Sequence, residues 1–293
     1  MHQKRGRYIT LPDHSQTDGV PQLMSKTPLG EPTEYAEEYS PQVLYSMPRI
    51  EGRQKLGLGS QLPFQGEDVW NAWELTWLDM SGKPVVATAT ITVNADSANI
   101  VESKSLKLYL NSLAMTRYAS KNDVARIIGD DLSELTGSEV AVTVTTAADS
   151  STGRIDELPG DCIDDLGVLI VGSGVDASLL MTTGHQPVDE ELHSHLLRSN
   201  CPVTNQPDMG SVLIRYRGPR IDRESLLRYI VSFRQHNDFH EACVERMFLD
   251  IKKQCAPDEL TVYARYNRRG GLDINPFRSD FENSAENCRL WRQ

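Results

Sequence analysis

A repeat with a period of 120 residues constrains the fold of this chain more than any other feature of its sequence. Residues 105–144 and 225–264 align without a gap, with nine identities in forty positions. In both segments the hydrophobic spacing changes in the order helix, helix, strand. The repeat predicts two tandem modules, each strand–strand–helix–helix–strand, joined by a connector.

The first module shows the local patterns most clearly. Alternating residues predict strands over Glu67–Asp79 and Val85–Val93, joined by a Ser-Gly-Lys turn into a hairpin. Leucines at helical spacing predict one helix over Ser105–Arg117, and a second amphipathic pattern covers Asp123–Leu135. A strand is predicted at Glu139–Thr145.

Composition and the repeat together divide the chain into four segments. These are an irregular N-terminal arm over 1–65, a first module over 66–146, a connector over 147–200 and a second module over 201–293. Within the connector, the apolar run Leu166–Val171 is predicted to be an extra edge strand. A helix is predicted over Val188–Ser199, directly before the second module.

Charge and cysteine usage exclude several protein classes. The 293 residues carry a net charge of −11, which argues against a general nucleic-acid binder. No stretch approaches the roughly 18 apolar residues of a membrane helix, and no apolar run follows the basic start Met1–Arg7 as in a secretory signal. The five cysteines include no CxxC pair, as expected for reduced thiols. We expect a soluble cytoplasmic protein that contacts neither membrane nor nucleic acid directly.

The stretch Ser199–Ser211 combines a thiol and a carboxylate on one polar loop. Cys201 precedes Asp208 by seven residues, and Pro202 and Pro207 stiffen the segment between them. Loops position side chains toward ligands, so Cys201 is a candidate nucleophile and Asp208 its candidate proton donor. The alternative is that Cys201 is a small buried hydrophobe, because a free thiol with a pKa near ~8.5 needs electropositive surroundings to react.

A second candidate site is Glu102-Ser103-Lys104-Ser105, directly before the first predicted helix. One interpretation is local: Ser103 or Ser105 caps the helix, and Glu102 is favoured near its positive end. The other is that free N–H groups at the helix start, together with Lys104, bind an anionic ligand such as a phosphate. Sequence alone leaves both interpretations open.

His240 and Glu241 begin the second helix of the second module. Asp238 and Glu241 have the spacing of a capping box, which would make the glutamate structural. Alternatively, a buried Glu241 accepts two hydrogen bonds from the N–H edge of a purine-like base, while His240 relays a proton.

Two adjacent arginines, Arg268 and Arg269, precede Gly270-Gly271 after the last predicted strand. This is either a surface turn or a place where guanidinium groups and flexible backbone N–H groups meet a nucleotide phosphate.

Two further patterns lack the context that their motifs require. Gly172–Ala177 matches the G-x-G-x-x-A form of the dinucleotide fingerprint, but no strand–helix alternation surrounds it. His193 and His195, with Cys201 or His185, contain zinc-binding side chains, but their spacing matches no zinc signature well.

Four stretches together resemble the NADPH-dependent 7-cyano-7-deazaguanine reductases, the nitrile reductases of queuosine biosynthesis, in their long two-module form. The stretches are Glu102–Asn111, Ser199–Ser211, Phe239–Glu241 and Arg268–Asp273. The resemblance runs from about residue 50 to the end of the chain. Met209 departs from the pattern, because the family often has a bulkier aromatic residue there.

The resemblance implies an α+β fold of two tandem tunnelling-fold modules, each with an antiparallel sheet and paired helices on one face, and it implies a homodimer. It also implies that Cys201 adds to the nitrile carbon to form a covalent thioimide and that Asp208 protonates the nitrile nitrogen. Substrate-binding residues by the same resemblance are Val101, Glu102, Ser103, His240 and Glu241. Cofactor-binding residues are Ser103, Lys104, Arg269 and Gly270. The resemblance implies NADPH, two per turnover, and no metal.

Two other functions are compatible with such a fold. One is a metal-dependent hydrolase of the GTP cyclohydrolase type, which would use no nicotinamide cofactor. The other is a non-catalytic protein that binds a purine or a pterin. The presence of Cys201 and Asp208 in one loop counts against the second alternative.

Overall fold

The structure is a computed structural model that describes residues 36–149, 154–172, 174–284 and 286–293, with the side chain of His185 left out. Most of the predicted N-terminal arm therefore lies outside the described residues. In the described part of the chain, no helix is long and apolar enough to cross a membrane.

The described residues form ten strands and five α-helices. The strands are β1 Ser46–Pro48, β2 Gln65–Leu78, β3 Pro84–Asn94, β4 Asn99–Val101, β5 Val140–Thr146, β6 Asp161–Cys162, β7 Thr182–Asn200, β8 Pro207–Ile221, β9 Glu259–Tyr266 and β10 Leu272–Ser279. The helices are α1 Arg49–Lys55, α2 Ser103–Ser112, α3 Lys121–Thr136, α4 Arg223–Ser232 and α5 His240–Cys255.

A single eight-stranded sheet runs through both modules, in the order β5-β3-β2-β10-β9-β8-β7-β6. All neighbours are antiparallel except β6 and β7. The modules meet where β2 pairs with β10, from Ala72 opposite Leu272 to Gln65 opposite Ser279. Each module adds a helix pair, and the two main hydrophobic clusters lie one in each module. The predicted two-module α+β fold is confirmed.

The repeat is visible in matching side-chain contacts as well as in element order. In α2, Tyr109 donates its hydroxyl hydrogen to Asp131 at 2.5 Å, and in α4 Tyr229 donates to Asp250 at 2.7 Å. These pairs show that the gap-free alignment is wrong in the second helices, because α3 and α5 are offset by 119 residues. Counting identities at one fixed offset does not detect that the loop before the second helix differs in length by one residue. The structure reveals the difference, because a shift of one residue would turn the buried face of the helix away from the core.

Two predictions within the connector are wrong. Val188–Ser199 belongs to strand β7, which pairs with β8 along most of its length, with a bulge between Ser194 and Leu197. Non-local hydrogen bonds to β8 outweigh the short helical pattern. The run Leu166–Val171 forms no strand, and Leu169 and Val171 are exposed. In the first module, the predicted hairpin is confirmed, and α2 ends at Ser112 rather than Arg117.

A buried charge cluster, made of Arg49, Arg53, Asp68, Glu245 and Arg278, holds the modules together. Arg49 pairs with Asp68 at 2.6 Å, and Arg53 pairs with Glu245 at 2.7 Å. Arg278 bonds to both carboxylates, at 2.8 and 2.9 Å. Buried ions need such mutual pairing because desolvation of each one is costly. The cluster ties α1, β2, β10 and α5 together directly beside the N-terminus of α5.

Candidate active site

A pocket lies where the two modules meet. The first module contributes side chains from β2, β4 and the start of α2. The second contributes the loop after β7, the start of β8, the N-terminus of α5, the turn before β10 and β10 itself. The walls are Trp70, Ile100, Val101, Ser103, Cys201, Pro202, Asp208, Asp238, Phe239, His240, Glu241, Arg269 and Ile274.

The loop after β7 holds Cys201 at the pocket wall. The Cys201 backbone N–H donates to the Gln206 carbonyl at 2.8 Å, and the Asn205 N–H donates back to the Cys201 carbonyl at 3.0 Å. Asn205 adopts a left-handed φ of 55°, which closes this tight turn, and Asn237 donates to its side-chain oxygen at 2.8 Å. The backbone of Cys201 is therefore fixed by hydrogen bonds within the loop, and the residue is only 3 % exposed.

Asp208 is bound on both sides by nitrogen donors. Its Oδ2 lies 3.2 Å from Nε2 of His240, and its Oδ1 lies 3.3 Å from Nη1 of Arg269. The His240 ring stacks on Tyr266 with centroids 3.7 Å apart and the planes nearly parallel. Within the described residues, Nδ1 of His240 has no hydrogen-bond partner. The pair can therefore hold a proton at the pocket wall in a fixed orientation.

Glu241 does not have the predicted capping role. Helix α5 is preceded by Phe239, which makes no side-chain cap, so the Asp238–Glu241 capping box is absent. Burial, followed by the negative charge of Asp68, raises the pKa of Glu241 to about 7, and Arg49 opposes this shift. The carboxyl group accepts a hydrogen bond from the backbone N–H of Glu241 itself, and as a buried pocket wall it is suited to accept further N–H groups from a ligand.

Glu102 is itself the cap of α2, in place of the predicted Ser103 or Ser105. Its carboxylate accepts hydrogen bonds from the backbone N–H groups of Lys104 at 2.7 Å and Ser105 at 2.8 Å. Burial is the main cause that raises its pKa above the ordinary value. The Ser105 hydroxyl accepts a bond from the Tyr45 N–H at 3.0 Å. Glu102 thus orients the chain on which Val101 and Ser103 face the pocket.

The structure brings together most of the predicted site residues. Val101, Ser103, Cys201, Asp208, His240, Glu241 and Arg269 line the same pocket, whereas Glu102, Lys104 and Gly270 are not among its described walls. Sequence reasoning missed the apolar walls Trp70, Ile100, Phe239 and Ile274, and the stack of Tyr266 on His240. Phe239 could have been found because it precedes the predicted site residue His240. For the other missed residues, the sequence shows only the alternation of a strand, which does not indicate a pocket.

Comparison with known sequences decides the family. Residues 35–144 match the family described as "Nitrile reductase, 7-cyano-7-deazaguanine-reductase N-term", and residues 207–285 match "QueF-like protein". A protein of Desulfotalea psychrophila named NADPH-dependent 7-cyano-7-deazaguanine reductase is 51% identical over 267 residues, which is 91% of this chain and 97% of that protein. The chain belongs to the 7-cyano-7-deazaguanine nitrile reductase family.

A solved structure of the apo archaeosine synthase QueF-Like is also similar to part of the chain. It shares 17% identity with a TM-score of 0.29, and the match covers 36% of this chain and all of that one. This similarity is too low to carry an argument about the nitrile reductase fold.

The pocket rim of this nitrile reductase family member fits an anionic cofactor. Arg269 lines the pocket with 29% of its side chain exposed, whereas Arg268 packs over the Trp73 ring at 5.0 Å. Gly270 and Gly271 both have left-handed φ values, and a Cβ on Gly271 would lie 2.5 Å from the Glu74 carboxyl carbon. The turn therefore needs glycine, and it presents one arginine toward the pocket. Guanidinium groups suit phosphate oxygens.

The two remaining sequence patterns lie outside the active site of this family member. His193 and His195 are not pocket walls, and they cluster with Cys162 rather than with Cys201. In the Gly172–Ala177 stretch, the described residues form bends and the start of a short 3-10 turn instead of a strand leading into an α-helix. The dinucleotide fingerprint is therefore a chance match.

Proposed function

We propose that this chain reduces the nitrile of 7-cyano-7-deazaguanine to the aminomethyl group of 7-aminomethyl-7-deazaguanine, with NADPH as reductant, in queuosine biosynthesis. The observation that carries the proposal is one pocket that contains the Cys201 thiol, the Asp208–His240 pair and the Glu241 carboxyl group. The name of the 51% identical relative supports the same activity.

The first step is addition of Cys201 to the nitrile. The S–H bond breaks, a C–S bond forms and one C–N π bond breaks. Asp208 gives a proton to the nitrogen, and the thiol proton replaces it on the Asp208–His240 pair, leaving a thioimide with no change in oxidation state. His240, 3.2 Å from Asp208, is placed to return a proton to it. The addition is useful because a thioimide carbon accepts a hydride more readily than a nitrile carbon does.

Conversion of a nitrile to a primary amine requires four electrons and four protons. NADPH supplies a hydride at each of two reduction steps when it is bound. Between these steps Cys201 leaves as a thiolate, and the free imine must be kept from water or it hydrolyses. The apolar walls Trp70, Phe239 and Ile274 serve this exclusion.

Substrate recognition is assigned to the first turn of α5 and the end of β4. Glu241 accepts two N–H groups from the deazaguanine edge, and His240, Val101 and Ser103 form the adjoining wall. Glu102 contributes by holding this segment in place through its cap. Ser103, Lys104, Arg269 and Gly270 hold NADPH at the rim, where cationic side chains and helix N–H groups suit phosphates.

We further propose a cytoplasmic homodimer that acts on a small molecule without contacting nucleic acid. All five cysteines are free thiols, as expected in a reducing compartment. Within the described residues the sheet ends at β5 and at β6, and open sheet edges favour association with a second sheet. Light scattering on the eluted peak of a sizing column would measure the mass of the assembly.

The decisive experiment is NADPH oxidation by metal-stripped protein with limiting 7-cyano-7-deazaguanine. We expect two NADPH consumed per nitrile and release of the aminomethyl product. Absence of consumption by a folded protein would instead favour the metal-dependent hydrolase or the purine- or pterin-binding protein. The matched control is Cys201→Ala, which should consume none.

A further inference from the structure

We propose that Cys162, His193 and His195 form a Zn²⁺ site at the β6 edge of the sheet, separate from the active-site pocket. One ligand atom from each residue lies within 4.8 Å of the other two. None of the three lines the pocket that contains Cys201. The chemistry proposed for nitrile reduction uses none of them.

Backbone pairing brings the three side chains together. Strand β6 runs parallel to β7, with Cys162 in register with His193, and the Ile163 N–H donates to the His193 carbonyl at 3.0 Å. His195 lies in the bulge of β7 between Ser194 and Leu197, and its ring nevertheless contacts that of His193, with centroids 5.2 Å apart. The cluster is thus a consequence of strand register rather than of a chance loop conformation.

Each histidine is held by its Nδ1 atom, which leaves Nε2 for a metal. Nδ1 of His193 lies 2.9 Å from the Pro159 carbonyl oxygen, which only accepts, so this nitrogen carries the hydrogen. Nδ1 of His195 lies 2.8 Å from the Ser211 hydroxyl, which accepts the hydrogen bond in the tautomer that carries the hydrogen on Nδ1. Metal-binding histidines commonly donate their second nitrogen to an oxygen, which orients the ring and strengthens the ligand.

A carboxylate next to the cluster holds the histidine segment in place. Asp164 accepts a hydrogen bond from the Ser194 hydroxyl at 2.6 Å and from the His195 backbone N–H at 3.0 Å. It therefore fixes the chain between the two histidines against the segment that carries Cys162. This arrangement limits the movement that metal binding requires.

The donor set specifies the class of ion. One thiolate with two imidazoles suits Zn²⁺, whereas Mg²⁺ and Ca²⁺ prefer oxygen ligands. Donors around a tetrahedral Zn²⁺ lie about 3.5 Å apart, so the cluster must contract slightly. Cys162 is exposed and can make this movement, while water takes the fourth position. Binding releases the thiol proton and clamps β6 to β7.

Titration of reduced, metal-free protein with Co²⁺ tests the site, because Co²⁺ reports thiolate ligation by a charge-transfer band in the near ultraviolet. We expect a band that saturates at a single Co²⁺ per chain and disappears when Zn²⁺ is added. Cys162→Ser should lose the band and remain folded, since the residue is exposed. His195→Asn should lower the affinity by at least about tenfold, about 1.4 kcal/mol.

Two cysteine variants serve as controls. Cys288→Ser, at a half-buried cysteine outside the cluster, should keep the band, and so should Cys201→Ala. Zn²⁺ should also raise the melting temperature of the wild-type protein but not of Cys162→Ser. The proposal is overturned if folded wild-type protein gives no thiolate band, if the band survives Cys162→Ser, or if it disappears with Cys201→Ala.

Discussion

Asp208 and His240 form a buried pair across the wall of the pocket, with Oδ2 of the aspartate 3.2 Å from Nε2 of the histidine. Each residue is less than a tenth exposed. The two residues are far apart in sequence, on β8 and at the first turn of α5. Both residues line the same pocket as Cys201, which is consistent with the proposed protonation of the nitrile nitrogen by Asp208.

Asp208→Asn should slow formation of the Cys201 adduct by about 100-fold or more, because an amide cannot act as the general acid. Nitrile binding should change only a few-fold, since the pocket keeps its shape. Stopped-flow absorbance of the adduct and calorimetric binding measure the two effects separately. The control is Asp238→Asn, a pocket wall whose carboxylate accepts the Phe239 N–H at 2.9 Å. Adduct formation at the wild-type rate would remove Asp208 as proton donor.

Cys201→Ala should abolish NADPH oxidation and retain nitrile binding, because the thiol forms the covalent bond while the other walls hold the base. Steady-state assays and calorimetry measure the two properties. Cys288→Ser is the matched control and should keep full turnover, since that residue lies outside the pocket. Measurable steady-state turnover in the alanine variant would disprove nucleophilic catalysis by Cys201.

Lys104→Ala should raise the KM for NADPH about fivefold, the effect of losing about 1 kcal/mol of phosphate contact, and leave the KM for the nitrile unchanged. The control is Lys107→Ala, one turn further along α2, where the ammonium pairs with Glu74. Initial rates with each substrate varied in turn give both constants. An unchanged KM for NADPH in Lys104→Ala would exclude that lysine from the cofactor site.

Glu241 should make stability depend on pH. Its pKa rises from an ordinary 4.5 to about 7 on folding, so between these values the folded protein binds more protons than the unfolded chain. This contribution to the free energy of unfolding is largest below about pH 4.5 and falls as the pH rises to about 7.

In Glu241→Gln the side chain stays neutral at every pH, so the free energy of unfolding lacks the fall that ionisation of Glu241 causes. The difference in unfolding free energy between variant and wild type should grow by on the order of 3 kcal/mol across that range. Urea unfolding from pH 5 to pH 8 measures it. The exposed Glu134→Gln should show no such trend, and a difference independent of pH would contradict the buried environment of Glu241.

Glu245→Gln should lower the free energy of unfolding by about 3–5 kcal/mol, because it leaves Arg53 and Arg278 without their shared buried carboxylate. Urea unfolding at constant pH measures the loss. Asp130→Asn, which removes an exposed pair with Arg126, should cost less than about 1 kcal/mol. Equal, small effects of the two substitutions would show that the buried charge cluster does not stabilise the contact between the two modules.

Local patterns predicted the elements whose contacts are close in sequence. The hairpin of β2 and β3 and the positions of α3 and β5 agree with the predictions to within two or three residues, because alternation, leucine spacing and turn residues act locally. Val188–Ser199 was predicted as a helix but lies in strand β7. Strands β7 and β8 form a hairpin around the Cys201 loop, but pairs away from that loop, such as Val188 opposite Gly218, join residues far apart in the chain and leave no short-range signal.

The sequence by itself determined the two-module order and which residues are candidates for the reactive groups, since repeated spacing and residue chemistry are properties of short segments. Only the tertiary structure decided that Glu102 caps a helix while Glu241 does not, because both occur in sequences compatible with a cap. Trp70, Cys201 and Glu241 line one pocket, and only the tertiary structure decided this, through the pairing of β2 with β10 and the buried charge cluster beside it. Burial and long-range pairing depend on the whole chain, so no single segment contains them.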